Sequence, residues 1–282
     1  MTKEKELIDK LIDLAFAEDI GDGDHTTLSC IPDTAMGKSR LLIKESGILA
    51  GIEVAKEVFR RFDPTMKVEV FMPDGTAVKP GDVPMMVEGR VQSLLQTERL
   101  MLNILQRMSG IATVTHRYVE RLEGTGTQVL DTRKTTPGMR ILEKMAVKIG
   151  GGANHRIGLF DMILLKDNHV DFAGGIEKAI TRAREYCKEK GKDLKIEIEV
   201  RNLDELQQVL NVGGVDRVMF DNFSPELTRK AVAMVNGRYE TESSGGITFD
   251  AIRDYAECGV DFISVGALTH SVKSLDMSFK AC

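Results

Sequence analysis

From residue 127 onward the chain alternates short apolar segments with helical ones, and that rhythm constrains the fold more than any other feature. The apolar segments are 128–130, 162–165, 195–200, 217–220, 240–243 and 262–265. The predicted helices between them are 139–149, 176–190, 204–210, 225–235 and 248–258. Strand, helix and strand in repetition require crossover connections, and crossovers make neighbouring strands parallel. Six such strands in about 140 residues predict an α/β domain, a barrel or an open sheet.

Upstream the pattern is mixed. Residues 1–16 predict an amphipathic helix with Leu7, Ile8, Leu11, Ile12, Leu14 and Ala15 on one side. Strands are expected at 40–45, 48–51, 66–72 and 83–87, and a helix at 53–62 that stops before Pro64. The first ~90 residues therefore read as α+β on a small, mostly antiparallel sheet. A strong helix follows at 93–108. Its polar residues Gln96, Arg99, Asn103 and Gln106 fall on one narrow stripe. That stripe faces solvent, an internal polar cavity or a neighbouring subunit.

In barrel enzymes the catalytic groups gather at the C-terminal ends of the strands. Here the strand ends read Asp131-Thr-Arg133-Lys134-Thr-Thr-Pro-Gly138, then Lys166-Asp-Asn-His169, Glu199, Asp221-Asn222, Ser243-Ser244-Gly245-Gly246, and Val265-Gly266-Ala267. One charged strand end means little; a charge or a glycine turn at every one predicts a single large site. Arg133, Lys134, His155, Arg156 and Lys166 would give that rim a local charge near +5 with His155 protonated, although the chain carries 38 Lys+Arg against 43 Asp+Glu, a net charge of -5. Guanidinium groups suit bidentate carboxylate or phosphate recognition, so multiply anionic small molecules are expected. The overall acidity argues against nucleic-acid binding.

Glu199 and Asp221 end neighbouring apolar strands. Such a pair either salt-bridges the nearby lysines or holds a hard cation, with Mg²⁺ the expected one. The Ser244-Gly245-Gly246 turn is expected to open a helix and cradle an anion on free N–H groups, or to be an ordinary capping turn. The glycines at 150–152 predict a flexible loop that lets His155 and Arg156 swing over bound ligand. Asp19, Asp22, Asp24 and His25 do not match a calcium loop and read as turn and capping residues. No apolar run reaches the ~18–20 residues of a membrane span. Cys30, Cys187, Cys258 and Cys282 show no CxxC spacing, and the N-terminal segment lacks a signal-peptide core, which predicts free thiols in a reducing cytoplasm.

The segments LDTRKTTPGMR, GGGANHRIGLFDMILLKDNH, IEIEV, MFDN, ESSGGIT and GVDFISVGALTHS closely resemble the quinolinate phosphoribosyltransferase family. AEDIGDGDHTT, KESGILAG and QTERLMLNILQRMSGIAT match as well, so the resemblance runs end to end. It implies an N-terminal α/β sandwich over 1–110, joined by a tail at 271–282, and an incomplete seven-stranded α/β barrel over 111–270, one strand more than the pattern shows. It implies phosphoribosyl transfer to quinolinate with decarboxylation, assisted by Mg²⁺, in a cytoplasmic homodimer with shared active sites, and it leaves a hexamer open.

By the resemblance, Arg133, His155 and Arg156 hold the quinolinate carboxylates and Arg99 comes from the other subunit. Lys134 and Lys166 lie near the carboxylates and pyrophosphate. Glu199 and Asp221 face ribose and metal; Ser244, Gly245, Gly246, Gly266 and His270 line the 5′-phosphate region. Lys44 sits where some members reach a partner's pyrophosphate. Two alternatives stand beside this reading: a molybdenum-transport-associated paralogue with another acceptor, and a sugar-phosphate aldolase using Lys166 as a Schiff-base lysine.

Overall fold

The computed structural model describes residues 3–282. The N-terminal part runs α1 (Lys3–Ile20), α2 (His25–Cys30), β1 (Met36–Ile43), β2 (Gly47–Ile48), α3 (Ile52–Phe62), β3 (Lys67–Val70), β4 (Ala77–Val78), β5 (Met85–Arg90) and α4 (Val91–Arg121). The alternating part runs β6 (Gln128–Leu130), α5 (Arg140–Ile149), β7 (Ile163–Leu165), α6 (Asp167–Ala173), α7 (Ile176–Lys190), β8 (Ile196–Val200), α8 (Leu203–Val212), β9 (Arg217–Asp221), α9 (Pro225–Val235), β10 (Glu240–Ser244), α10 (Ile252–Ala256) and β11 (Phe262–Ser264). α11 (Ala267–His270) and β12 (Met277–Ala281) follow.

The chain forms two compact units. One comprises residues 1–116, 135–151 and 267–282; the other comprises 117–134 and 152–266. The C-terminal tail groups with the first unit, and residues 111–116 and 135–151, the latter carrying α5, group there as well.

In the first unit the sheet order is β12-β1-β5-β3, all antiparallel. α3 turns Ile52, Val54, Ala55, Val58 and Phe59 inward, and the Phe59 ring meets Phe279 of β12 at 6.2 Å. Helix α4 is longer than the predicted 93–108 because Ser109-Gly110 does not end it. A Cβ at Gly110 would lie 2.3 Å from the Lys273 carbonyl oxygen, so this glycine permits a close backbone approach. Asp24 caps α2 by accepting from the Thr27 N–H at 3.1 Å, the capping chemistry expected of that acidic cluster.

In the second unit the parallel sheet runs β6-β11-β10-β9-β8-β7. A seventh position is held by a single parallel bridge between Leu130 and Ala153, which reconciles six visible strands with seven barrel places. Ile196, Ile198, Val200, Val218 and Phe220 form buried core. α9 is capped at both ends, by the Ser224 hydroxyl accepting from Leu227 N–H with Pro225 in the first turn, and by Asn236 at φ 47°.

Candidate active site

Period-two alternation decides which side chains of β8, β9 and β10 share a face. The register pairs Glu197 with Arg217 and Arg217 with Glu240, then Glu199 with Met219 and Met219 with Glu242, then Asp221 with Ser244. One face of three adjacent strands is therefore largely charged or polar, and its levels rise toward the C-terminal strand ends.

At the upper levels stand the predicted acids. Glu199 is buried and its Oε2 receives Lys166 Nζ at 3.2 Å, where Lys166 is half exposed. Burial raises the Glu199 carboxyl, Lys166 opposes the rise, and the negative charge of Asp221 adds to it. Asp221 accepts from Asn222 Nδ2 at 2.9 Å. Two repelling oxygen-donor carboxylates at the mouth of a basic rim are a set that a divalent cation would relieve, so the residues fit Mg²⁺.

The loops after β9 and β10 interlock. Asn222 adopts φ 55° and its N–H donates to the Ser244 carbonyl at 2.9 Å. Gly245 has φ +100°, and a Cβ there would sit 2.3 Å from Asn222 Oδ1 and 2.9 Å from its backbone nitrogen. Only glycine fits. Gly246 has φ +60° with open space around it. The expected helix at 248–258 is shorter: α10 begins at Ile252 and spans 5 residues. The turn therefore does not open directly into a helix, and an anion here would meet the glycine backbone itself rather than a helix end. Phe249 is held out of the helix by its edge contact with Tyr118 at 5.1 Å. Gly266 follows the last strand, half-buried.

Arg133 and Lys134 are exposed after β6. Arg156 is half-buried; burial and then the nearby Arg133 lower it, while Glu197 and Asp161 oppose them. Arg133 and Arg156 therefore stand near each other. His155 departs from expectation. Its ring is buried, Nδ1 accepts the Arg156 N–H at 2.7 Å, and Nε2 lies 3.0 Å from Glu197 Oε2 and 3.5 Å from Glu242 Oε2. His155 therefore turns its ring inward, toward these carboxyls. The swinging loop is likewise corrected: Asp131 accepts from the His155 N–H at 2.9 Å and from Asn154 Nδ2, which fastens the segment.

The residues missed by sequence reasoning lie on the same face, Glu242 at the register level of Glu199 and Glu197 with Arg217 one level below. Glu197 and Glu242 are fully buried, and Arg217 joins them, its Nη1 3.0 Å from Glu242 Oε2 and its Nη2 3.0 Å from Glu240 Oε2. The Arg217 guanidinium lies 4.0 Å from the Phe262 ring centroid. Burial pushes both carboxyls up, against the pull of Arg217. The alternations I-E-I-E-V, R-V-M-F-D and E-T-E-S-S carried the signal.

Three expected site residues belong to the first unit. Arg99 is exposed on α4. Lys44 is exposed, 3.9 Å from Asp276 Oδ2. His270 is exposed at the end of α11 with Nδ1 2.6 Å from Ser271 Oγ. The polar stripe of α4 is partly covered, since Gln106 Nε2 donates to the Met277 carbonyl at 3.0 Å. Arg107, unremarked in the sequence, donates to the fully buried Glu143 at 2.8 Å and to the Thr269 carbonyl at 2.6 Å.

The family model for quinolinate phosphoribosyl transferase, N-terminal domain, matches residues 24–109, and that for its C-terminal domain matches 111–280. The chain is 42% identical over 285 residues to the chloroplastic nicotinate-nucleotide pyrophosphorylase [carboxylating] of Arabidopsis thaliana, covering 96% of this chain and 81% of the relative. It is 40% identical to the probable nicotinate-nucleotide pyrophosphorylase [carboxylating] of Bacillus subtilis, covering 95% and 91%. The crystal structure of NadC from Streptococcus pyogenes superposes with TM-score 0.91 at 40% identity, covering 97% of this chain and 95% of that one. The nicotinate-nucleotide pyrophosphorylase structure from Francisella tularensis gives 0.92 at 39%, covering 100% and 98%.

Proposed function

The chain belongs to the quinolinate phosphoribosyltransferase family, and on that premise we propose how its own residues carry the reaction. It transfers the phosphoribosyl group of phosphoribosyl pyrophosphate to quinolinate with decarboxylation, giving nicotinate mononucleotide, CO₂ and pyrophosphate for de novo NAD biosynthesis. The aldolase and paralogue alternatives find no support in these relatives.

Arg133 and Arg156 bind the two carboxylates of quinolinate, with Lys134 and Lys166 beside them. The quinolinate nitrogen attacks the anomeric carbon as the bond to pyrophosphate breaks, and both electrons of that bond leave with pyrophosphate. Positive charge develops on the ribosyl ring, and Glu199 and Asp221 stabilise it electrostatically. Lys134 and Lys166 offset the charge of the leaving group. When the 2-carboxylate departs as CO₂, the electron pair of the broken bond stays on ring C2 as an ylide stabilised by the adjacent, now quaternary, nitrogen, and C2 then takes up a proton. Ser244, Gly245, Gly246 and Gly266 bind the 5′-phosphate, the glycines by their open backbone. Glu199 and Asp221 would hold Mg²⁺, which supplies charge neutralisation to the pyrophosphate when bound.

The observation that carries this reading is the Lys166–Glu199 pair beside Asp221, on the same strand ends as the Asn222–Gly245 turn. Arg99 serves the partner's site in a homodimer, consistent with its exposed place on α4, and Lys44 reaches a partner's pyrophosphate. Among the described residues no helix is long and apolar enough to cross a membrane; four free cysteines favour a reducing cytoplasm. The test is quinolinate-dependent release of CO₂ and pyrophosphate, repeated with Arg133→Lys. Loss of the bidentate fork should weaken quinolinate binding by about tenfold and phosphoribosyl pyrophosphate binding far less. Unchanged quinolinate affinity by calorimetry removes Arg133 from the site.

A further inference from the structure

Two loops of the site meet at one residue. β9 ends at Asp221, and the chain must turn sharply there. Phe223 is buried and stacks on Phe220 at 5.4 Å, 20° from parallel, and Ser224 already caps α9. The residue between, Asn222, absorbs that turn in the left-handed region at φ 55°. Glycine and asparagine take this conformation most readily. Glycine would serve the backbone alone, so the Asn222 amide is free to carry a second role. Its Nδ2 donates to Asp221 Oδ2 at 2.9 Å, which limits the rotation of that carboxylate. Toward β10, the Asn222 N–H donates to the Ser244 carbonyl at 2.9 Å. The Asn222 Oδ1 and Cγ occupy the space that a Cβ on Gly245 would need, so the missing side chain of Gly245 makes room for Asn222. Gly246, at φ +60° with nothing around its Cβ position, is the glycine left open. Asp221 and Ser244 are register partners, so one amide spans the ends of two adjacent strands.

We infer that Asn222 is a positioning residue for phosphoribosyl pyrophosphate, holding the Asp221 carboxylate and the Ser244-Gly245-Gly246 turn at a fixed spacing. The substrate joins its 5′-phosphate to its anomeric carbon through one furanose ring. Both subsites are used at once only if their separation matches that ring. Asp221 acts on charge that develops at the anomeric centre, so a carboxylate free to rotate costs turnover. A turn that loses its packing against Asn222 costs phosphate affinity. Quinolinate is bound by Arg133 and Arg156 and touches neither end of this amide, so its binding is spared.

This inference rests on Asp221 facing the ribosyl group and on the turn binding the 5′-phosphate, so each reading has its own control. Steady-state kinetics for both substrates are measured, with ribose 5-phosphate as a competitive inhibitor that reports the phosphate turn. The variants are Asn222→Gly, Asn222→Asp, Asp221→Asn, Gly245→Ala and the double variant N222G/D221N. Glycine at 222 keeps the backbone conformation and removes the amide. N222G should lower kcat about tenfold and raise both the KM for phosphoribosyl pyrophosphate and the inhibition constant of ribose 5-phosphate about fivefold. The KM for quinolinate should stay within about twofold. In the D221N background the same substitution should lower kcat by less than about twofold further, because the charge it acts through is gone. N222D sets a second carboxylate beside Asp221 and should lower kcat about tenfold as well; should N222G fail to fold, N222D decides by kcat and the quinolinate KM. A merely structural role would lower kcat by the same factor in either background and leave the KM values alone. The inference is overturned if N222G leaves kcat and the phosphoribosyl pyrophosphate KM unchanged, if the quinolinate KM rises with them, or if the kcat losses of N222G and D221N multiply. If D221N leaves kcat unchanged, or G245A leaves ribose 5-phosphate inhibition unchanged, the reading of that subsite fails and the inference falls with it. If both controls respond and N222G does not, only the positioning inference falls.

Discussion

Replacing Arg217 with methionine should cost the folded protein several kcal/mol at pH 8 and much less at pH 5. The guanidinium is nearly buried and lies 3.0 Å from one oxygen each of Glu242 and Glu240. At that distance an effective dielectric of about 20 gives roughly 5 kcal/mol of attraction per contact, most of it offset by desolvation. Methionine restores volume but leaves the buried Glu242, and the buried Glu197 that Arg217 also attracts, without their cation, and breaking a buried pair in this way costs about 3–5 kcal/mol. That corresponds to a fall in Tm of roughly 10 °C for a chain of this class. The pH dependence follows from proton binding. Burial pushes Glu197 and Glu242 up to about 7, whereas the unfolded chain releases those protons near 4.5. Across that window the folded state binds more protons than the unfolded one, so these two groups oppose stability increasingly as pH rises. Without Arg217 they rise further, which makes the penalty largest above the window and smallest at its acid end. Calorimetric melting of wild type and R217M at pH 8 and pH 5 measures the difference. An equal penalty at both values, or none at pH 8, would refute the account of a buried acidic pair balanced by Arg217.

Three further outcomes are expected. Gly245→Ala forces a methyl against Asn222 at φ +100°; it should cost about 1–3 kcal/mol and raise the KM for phosphoribosyl pyrophosphate more than that for quinolinate, and an unaltered KM would separate the turn from phosphate binding. Asp221→Asn should lower kcat by at least about tenfold with quinolinate affinity by calorimetry within roughly threefold; equal losses would indicate a folding defect instead. Arg99→Ala and Lys134→Ala, each inactive alone, should recover roughly a quarter of wild-type activity after subunit exchange, because about half the dimers are mixed and each carries one intact site; no recovery despite demonstrated exchange would place Arg99 in its own chain's site or in none.

The elements read most faithfully from the sequence were those whose signals are local. Both Ile176–Lys190 and Pro225–Val235 are helices at the predicted bounds, because Gly191, Ser224, Pro225 and Asn236 mark their ends by backbone chemistry alone. The six parallel strands were legible because each is a short segment set between helical stretches, most of them apolar, although β10 reads E-T-E-S-S. What escaped was set by tertiary neighbours. The helix expected from 248 is shortened where Phe249 packs on Tyr118, and α4 runs on through Gly110 because that glycine serves a close approach. In the site, the exposed cations and rim acids stood out as charges after strands. Glu197, Glu242 and Arg217 did not, because a charge within a strand reads as an isolated exception until the register shows the three facing one another. His155 was misread for the same reason: the carboxyls that turn its ring inward are more than 40 residues away in sequence.

The pairing of β12 with β1 also dictates an order of events during synthesis. Leu41 and Phe279 are register partners, so the sheet of the first unit cannot be completed until the 237 intervening residues, those from 42 to 278, have been made. Until then β1 is an edge strand with open N–H and C=O groups on that side. The second unit, whose strands pair only among themselves, can close while the first is still waiting. A nascent chain of this protein therefore exposes the β1 edge well before β12, which covers it, has been made, and conditions that slow elongation lengthen that exposure.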